Sequence, residues 1–124
     1  MGKPASRQPG TVLLVEDEES VRELVRTTLE RQGYTVLDTG KGDVALEMAV
    51  SHTGPIDILI SDMVLPGMNG RELGSRVNES HPETKILLVS GYPEEMVVGP
   101  GIEFLQKPFT LQALAGKVQD VLAS

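Results

Sequence analysis

No cysteine occurs in the chain, which removes a disulfide framework, a thiolate metal site and a cysteine nucleophile together. Tryptophan is absent and aromatic residues are only 3%, which disfavours surfaces that stack on exposed bases. Basic residues are outnumbered, 11 Lys and Arg against 18 Asp and Glu, for a net charge of −7. That excludes a sequence-independent grip on nucleic acid, which needs clustered positive charge. No apolar run approaches the roughly 18 residues of a membrane span, so no membrane contact is expected. No signal-peptide pattern is present, so the expected location is cytoplasmic.

What is present fits one folded domain. The 124 residues are 40% apolar and 23% charged, enough to bury a core without staples. Residues 1–10, MGKPASRQPG, carry two prolines and two glycines without apolar periodicity and read as a disordered leader or linker. The domain is expected over 11–124.

From there the pattern alternates. TVLLV (11–15), YTVLD (34–38), IDILIS (56–61), KILLVS (85–90) and IEFLQ (102–106) are short apolar runs of the kind that form buried strands. Between them, Val21, Leu24, Val25, Thr28 and Leu29 repeat at helical spacing through roughly 18–32, up to Gly33. Val44, Ala45, Met48 and Ala49 mark a second helix, ended by Gly54-Pro55. Asn69 is a candidate N-cap for a third, with Leu73 and Val77, and Thr110 for a last one with Leu111, Leu114, Ala115, Val118, Val121 and Leu122 on one face. Strands alternating with helices predict an α/β fold: a five-stranded parallel sheet, doubly wound in the flavodoxin-like order 2-1-3-4-5.

In such sheets the site lies beyond the carboxyl ends of the strands. The first strand delivers Glu16 and Asp17 there, the third Asp62, the fourth Ser90 and the fifth Lys107-Pro108; the edge strand delivers Asp38 further out. Two carboxylates about 4 Å apart repel by roughly 4 kcal/mol at an effective dielectric near 20. Three need a cation, and Lys107 supplies one charge. A hard divalent ion with oxygen ligands, Mg²⁺ above all, suits the remainder. Carboxylate, ammonium, hydroxyl and Mg²⁺ are the parts for handling a phosphoryl group, with Asp62 as an oxygen nucleophile.

VLLVEDEESVRELV, SDMVLPGMNG, LLVSGY and FLQKPF, in that order and spacing over about 11–122, resemble the receiver domain of two-component response regulators. The resemblance implies that Asp62 accepts a phosphoryl group from a phosphohistidine on a histidine kinase or histidine phosphotransfer domain. It implies that Mg²⁺ is held by Asp17 directly, Glu16 through water, Asp62 and the backbone carbonyl of Val64. Ser90 and Lys107 would contact the phosphoryl oxygens, Phe104 would be the aromatic switch position, and the Lys107-Pro108 bond would be cis. Such a domain is a phosphoacceptor with at most self-phosphorylation and autodephosphorylation, not an enzyme in its own right. SGY, FLQKPF and the linker-like start resemble receivers at the carboxyl end of hybrid sensor histidine kinases; a stand-alone regulator stays open beside that.

Plainer readings stand next to these. Alone, Asp62 also fits a turn or cap acid, the lesser reading; that reading recedes when Asp17 and Lys107 fall in register with it. Glu18 and Glu19 serve the first helical turn. Phe104 is first a core aromatic. His52 and His81 lie near helix ends, and Arg22, Arg26, Arg31 and Arg71 read as solvated helix faces. A haloacid dehalogenase-like phosphatase wants a second acid two residues after the nucleophile, where this chain has Val64. A flavodoxin-like cofactor binder wants a hydroxyl-rich phosphate loop where this chain has EDEES. Finally, Ser90 to Lys107 is shorter than is usual in the family, so PEEMVVGPG is expected to hold a short or irregular fourth helix.

Overall fold

The computed structural model describes residues 10–93 and 99–124. The chain runs β1 (Thr11–Val15), α1 (Glu19–Arg31), β2 (Thr35–Thr39), α2 (Gly42–Ser51), β3 (Ile58–Asp62), β4 (Val64–Leu65), β5 (Met68–Asn69), α3 (Gly70–Ser80), β6 (Lys85–Ser90), β7 (Ile102–Gln106) and α4 (Leu111–Ala123). The main sheet has the order β2-β1-β3-β6-β7, with every pairing parallel. It is the predicted doubly wound sheet. The expected helix around 93–101 falls largely on 94–98, outside the described residues, as does most of the expected leader.

Strand alternation sorts the core into two layers. Val12, Leu14, Ile58, Ile60, Leu87 and Val89 face α1 and α4, packing on Val25, Leu29, Leu114 and Val118. Leu13, Val15, Leu59, Ile86 and Leu88 face the other way, onto Ala45, Ala49, Leu73 and Val77 of α2 and α3. Burial on both sides explains why β1 and β3 read as continuous apolar runs instead of alternating ones. Two caps are built as their sequences demand. The Asn69 side chain accepts from the Glu72 N–H at 2.8 Å, and Thr110 from the Ala113 N–H at 2.9 Å.

Three local expectations are corrected. Leu24 lies 58% exposed; the buried stripe of α1 is narrower than its apolar spacing, because Val25 and Leu29 alone reach full burial. The second helix stops at Ser51, before Gly54-Pro55. The turn after Asp62 is a miniature hairpin, Val64 opposite Asn69 and Leu65 opposite Met68. Pro66-Gly67 closes it, with Gly67 at φ 78°, a conformation that favours glycine.

Candidate functional site

β1, β3, β6 and β7 end together, and their last residues meet. Glu16 continues the β1–β2 ladder by one rung, its N–H donating to the Thr39 carbonyl at 3.1 Å. Its Oε2 accepts from the Glu18 N–H at 3.0 Å, which folds the carboxylate back over the sheet. Asp62 is the last residue of β3, opposite Val89, so Ser90 lies one step further along the neighbouring strand. Glu16, Asp62 and Ser90 are each only 5% exposed, while Asp17 is exposed.

Lys107 reaches in from the end of β7. Its Nζ lies 2.6 Å from Asp62 Oδ1 and 3.7 Å from Glu16 Oε1, after a Lys107–Pro108 peptide that is cis, as the resemblance implied. The ammonium compensates the charge of Asp62 Oδ1 without lying along a hydrogen-bond direction, so this buried oxygen has no aligned donor. Ser90 Oγ accepts from the Tyr92 N–H at 2.9 Å, which leaves the hydroxyl proton to be donated elsewhere.

The electrostatics follow from this crowding. Burial first, and then the Asp62 carboxylate beside it, push Glu16 from the ordinary 4.5 up to about 7, against the lowering effects of the Glu18 N–H and of Lys107. Burial pulls the Lys107 ammonium down, but the Asp62 and Glu16 carboxylates outweigh it and hold Lys107 above its ordinary value. A carboxylate oxygen from each of Glu16, Asp17 and Asp62 lies within 4.8 Å of the others. A set of three carboxylates with no sulfur or imidazole is the donor chemistry of a hard divalent cation.

A cleft of about 170 Å³ opens over Asp62 between Val64, Ser90, Tyr92 and Lys107. A larger groove of about 800 Å³ lies beside it, from Asp17 and Arg22 to Lys41 and Met68. The small cleft is the chemically loaded one, since Asp62, Ser90 and Lys107 line it together. Val64 stands at its edge with 63% of its surface exposed. Phe104, opposite Leu88 in the β6–β7 ladder, is half-buried against the α2–α3 layer, as a core aromatic.

Asp38, on the edge strand, is not among the clustered carboxylates, and Arg22 does not do what its sequence position predicts. Asp38 turns from the acidic cluster to Arg22, whose Nε donates to it at 3.1 Å. Arg22 is therefore not a solvated face residue; its side chain is 19% exposed, and its Nη1 donates to the Glu16 carbonyl at 2.8 Å. Arg26 approaches Asp38 from the other side at 3.9 Å. His81 stands at the end of α3, as expected, and its ring has a further partner. It is buried, and its Nε2 donates to the Ala49 carbonyl of α2 at 2.7 Å.

Comparison with known proteins bears on the same residues. The response regulator receiver domain family matches residues 12–119. The sensor kinase CckA of Brucella abortus (strain 2308) is 40% identical over 117 residues, 90% of this chain but 12% of that protein. The response regulator receiver protein CpdR of the same organism is 31% identical over 117 residues, covering 90% of this chain and 95% of that one. The crystal structure of the receiver domain from the hybrid histidine kinase CckA superposes with a TM-score of 0.81 at 35% identity, over 91% of this chain and 99% of that one. Thus the chain spans a small part of the sensor kinase and nearly the whole of CpdR. Among the described residues no helix is long and apolar enough to cross a membrane. An acid-tipped third strand, a lysine brought to it by the last strand and a family match along almost the full length agree: this chain belongs to the response regulator receiver domains of two-component signalling.

Proposed function

We propose that Asp62 takes a phosphoryl group from a phosphohistidine of a histidine kinase or histidine phosphotransfer domain. The observation that carries this is the buried Asp62 carboxylate at the lining of a cleft, its Oδ1 charge-compensated by Lys107 at 2.6 Å without an aligned donor. In the transfer a carboxylate oxygen of Asp62 attacks phosphorus, the P–O bond forms as the P–N bond breaks, and the imidazole leaves with the electron pair. Lys107 follows one phosphoryl oxygen with its ammonium. Ser90 donates its hydroxyl proton to another. Glu16, Asp17, Asp62 and the Val64 carbonyl would hold Mg²⁺, which when bound neutralises charge on the carboxylates and the phosphoryl oxygens. Engagement of Ser90 would be relayed to Phe104, the switch position, and so to the partner-binding surface. The likeness to a receiver domain from a hybrid histidine kinase supports a histidine kinase as the donor, and a cytoplasmic setting follows from that partner.

The chain is on this reading a phosphoacceptor, with autodephosphorylation as its own chemistry. A haloacid dehalogenase-like phosphatase is disfavoured because Val64 offers no acid or base at the position that such an enzyme uses. The test is incubation with acetyl phosphate and Mg²⁺, followed by intact mass. One phosphoryl group is expected on the wild type and none on Asp62→Asn. Label persisting in that variant rejects Asp62 as the acceptor.

A further inference from the structure

We infer that Arg22 is a positioning residue for the acidic pair, fixing the backbone from which Glu16 and Asp17 project, and that Asp38 keeps the Arg22 guanidinium off their carboxylates. This rests on the phosphoacceptor reading and adds to it two residues that touch neither the phosphoryl group nor the cation.

Glu16 is held on all sides. Its N–H is bound to the Thr39 carbonyl at 3.1 Å, its carbonyl to Arg22 Nη1 at 2.8 Å, and its Oε2 to the Glu18 N–H at 3.0 Å. Of these three bonds the Arg22 one is donated by a side chain; Lys107 Nζ adds an ion pair to Oε1 at 3.7 Å. The Arg22 bond spans the β1–α1 turn from within the helix, so it fixes where that turn leaves the sheet. Asp17 leaves the same peptide unit, and its direction is set with it. The bond passes over Gly40, where a Cβ would sit 2.8 Å from Arg22 Nη1 and 3.4 Å from the Glu16 carbonyl oxygen. The guanidinium thus lies in a slot that a side chain at 40 would fill.

Charge explains Asp38. Arg22 lines the same groove as Asp17 and Glu19. A cation free to move there would pair with Asp17 and compete for the place of a divalent ion. Asp38 accepts from Nε at 3.1 Å, which uses the guanidinium's second donor edge and its charge together. Lysine cannot reproduce this, because an ammonium lacks the rigid fork that reaches a carboxylate and a carbonyl at once. Partners of this outer kind typically change metal affinity by about 10–100-fold when they are lost.

Isothermal titration calorimetry with Mg²⁺, alongside the melting temperature of each metal-free variant, tests the assignment. Arg22→Lys keeps the charge and is expected to raise the Mg²⁺ dissociation constant about tenfold. Asp38→Asn is expected to raise it by roughly half as much on a logarithmic scale. In an Arg22→Gln/Arg26→Gln background, where neither guanidinium beside Asp38 can be released, Asp38→Asn should have no effect. A purely structural role lowers the metal-free melting temperature and leaves the dissociation constant unchanged; that result in Arg22→Lys overturns the proposal. An Asp38→Asn effect that persists without Arg22 and Arg26 overturns the role given to Asp38. A wild-type chain that binds no Mg²⁺ overturns the phosphoacceptor reading and the positioning role with it, which separates the two failures.

Discussion

The two ends of the sheet bury polar groups in opposite ways. At the amino end of its strands Thr84, Asn78, Asp57 and His81 have complementary partners. Thr84 donates to the Ile56 carbonyl at 2.7 Å, Asn78 donates to the carbonyls of His81 and Thr84, and the Asp57 carboxylate accepts the Thr11 N–H at 2.7 Å. His81 joins α2 to Glu83, with Nε2 on the Ala49 carbonyl and Nδ1 3.1 Å from Glu83 Oε2. Glu83 is held below the usual carboxylate range, by its own backbone N–H first and then by the His81 ring. At the carboxyl end, like charges are pressed together, and one carboxyl is driven up to about 7. His81 and Thr84 are buried much as Glu16 and Asp62 are, so burial alone does not mark a site. Complementarity does: a satisfied buried group contributes to stability, while an uncompensated one stays available to a ligand.

Substitutions at the two ends should therefore have opposite profiles. The largest effect is expected from Asp17→Ala, which should remove the Mg²⁺-induced rise in melting temperature altogether. For wild type at 100 times the dissociation constant that rise corresponds to about 2.7 kcal/mol; an unchanged rise means that the ion binds elsewhere. At the other end His81→Leu strips the Ala49 carbonyl of its ring donor and should cost about 2–3 kcal/mol, read as a fall in melting temperature of about 10 °C. Phosphoryl uptake by that variant should match wild type, and a matching loss of uptake would break the contrast.

Next in size is a pH effect. Because the folded state raises Glu16 from 4.5 to about 7, it binds more protons than the unfolded chain across that window. Stability without metal should thus fall as pH rises from about 4.5 to about 7 and level off above, by on the order of 1–3 kcal/mol. Glu16→Gln should flatten the slope in denaturant titrations at pH 5 and 8, and a slope unchanged in this variant assigns the effect to another group. The smallest effect concerns lifetime. Val64 offers attacking water no hydrogen bond, so Val64→Glu or Val64→Asn should speed loss of the phosphoryl label by about tenfold, less than the roughly 10²–10⁴-fold of well-positioned general acid–base assistance. Decay followed after removal of the phosphodonor checks it; equal or slower decay in both variants rejects water access at Val64 as the control.

Much of this was legible in the sequence because it depends on short-range signals. β6 and β7 coincide with KILLVS and IEFLQ, since continuous apolar runs bounded by polar residues leave few alternatives. Asn69 and Thr110 cap their helices because such side chains at those offsets have a nearby N–H to bind. The acidic cluster was legible because parallel strands must end on one side. Other features depend on pairings that spacing does not encode. Arg22 and Asp38 lie on a helix and an edge strand, 16 residues apart, and each alone resembles a solvated charge. His81 reads only as a residue near the end of its own helix; its ring serves α2, 32 residues away. The β4–β5 hairpin has two residues per strand, too few for any period, and Pro66-Gly67 was its only trace.

That hairpin has a consequence for signalling in time. Val64 occupies its first rung, with the backbone paired to Asn69 and the side chain turned outward at the lip of the cleft. Scaffold and side chain are thereby decoupled. On the phosphoacceptor reading, an exchange at this one position should lengthen or shorten the memory of a stimulus while Asp62, Lys107 and the helix that follows keep their places. A receiver built this way would carry an adjustable clock, set by a residue that is peripheral to the fold and adjacent to the chemistry.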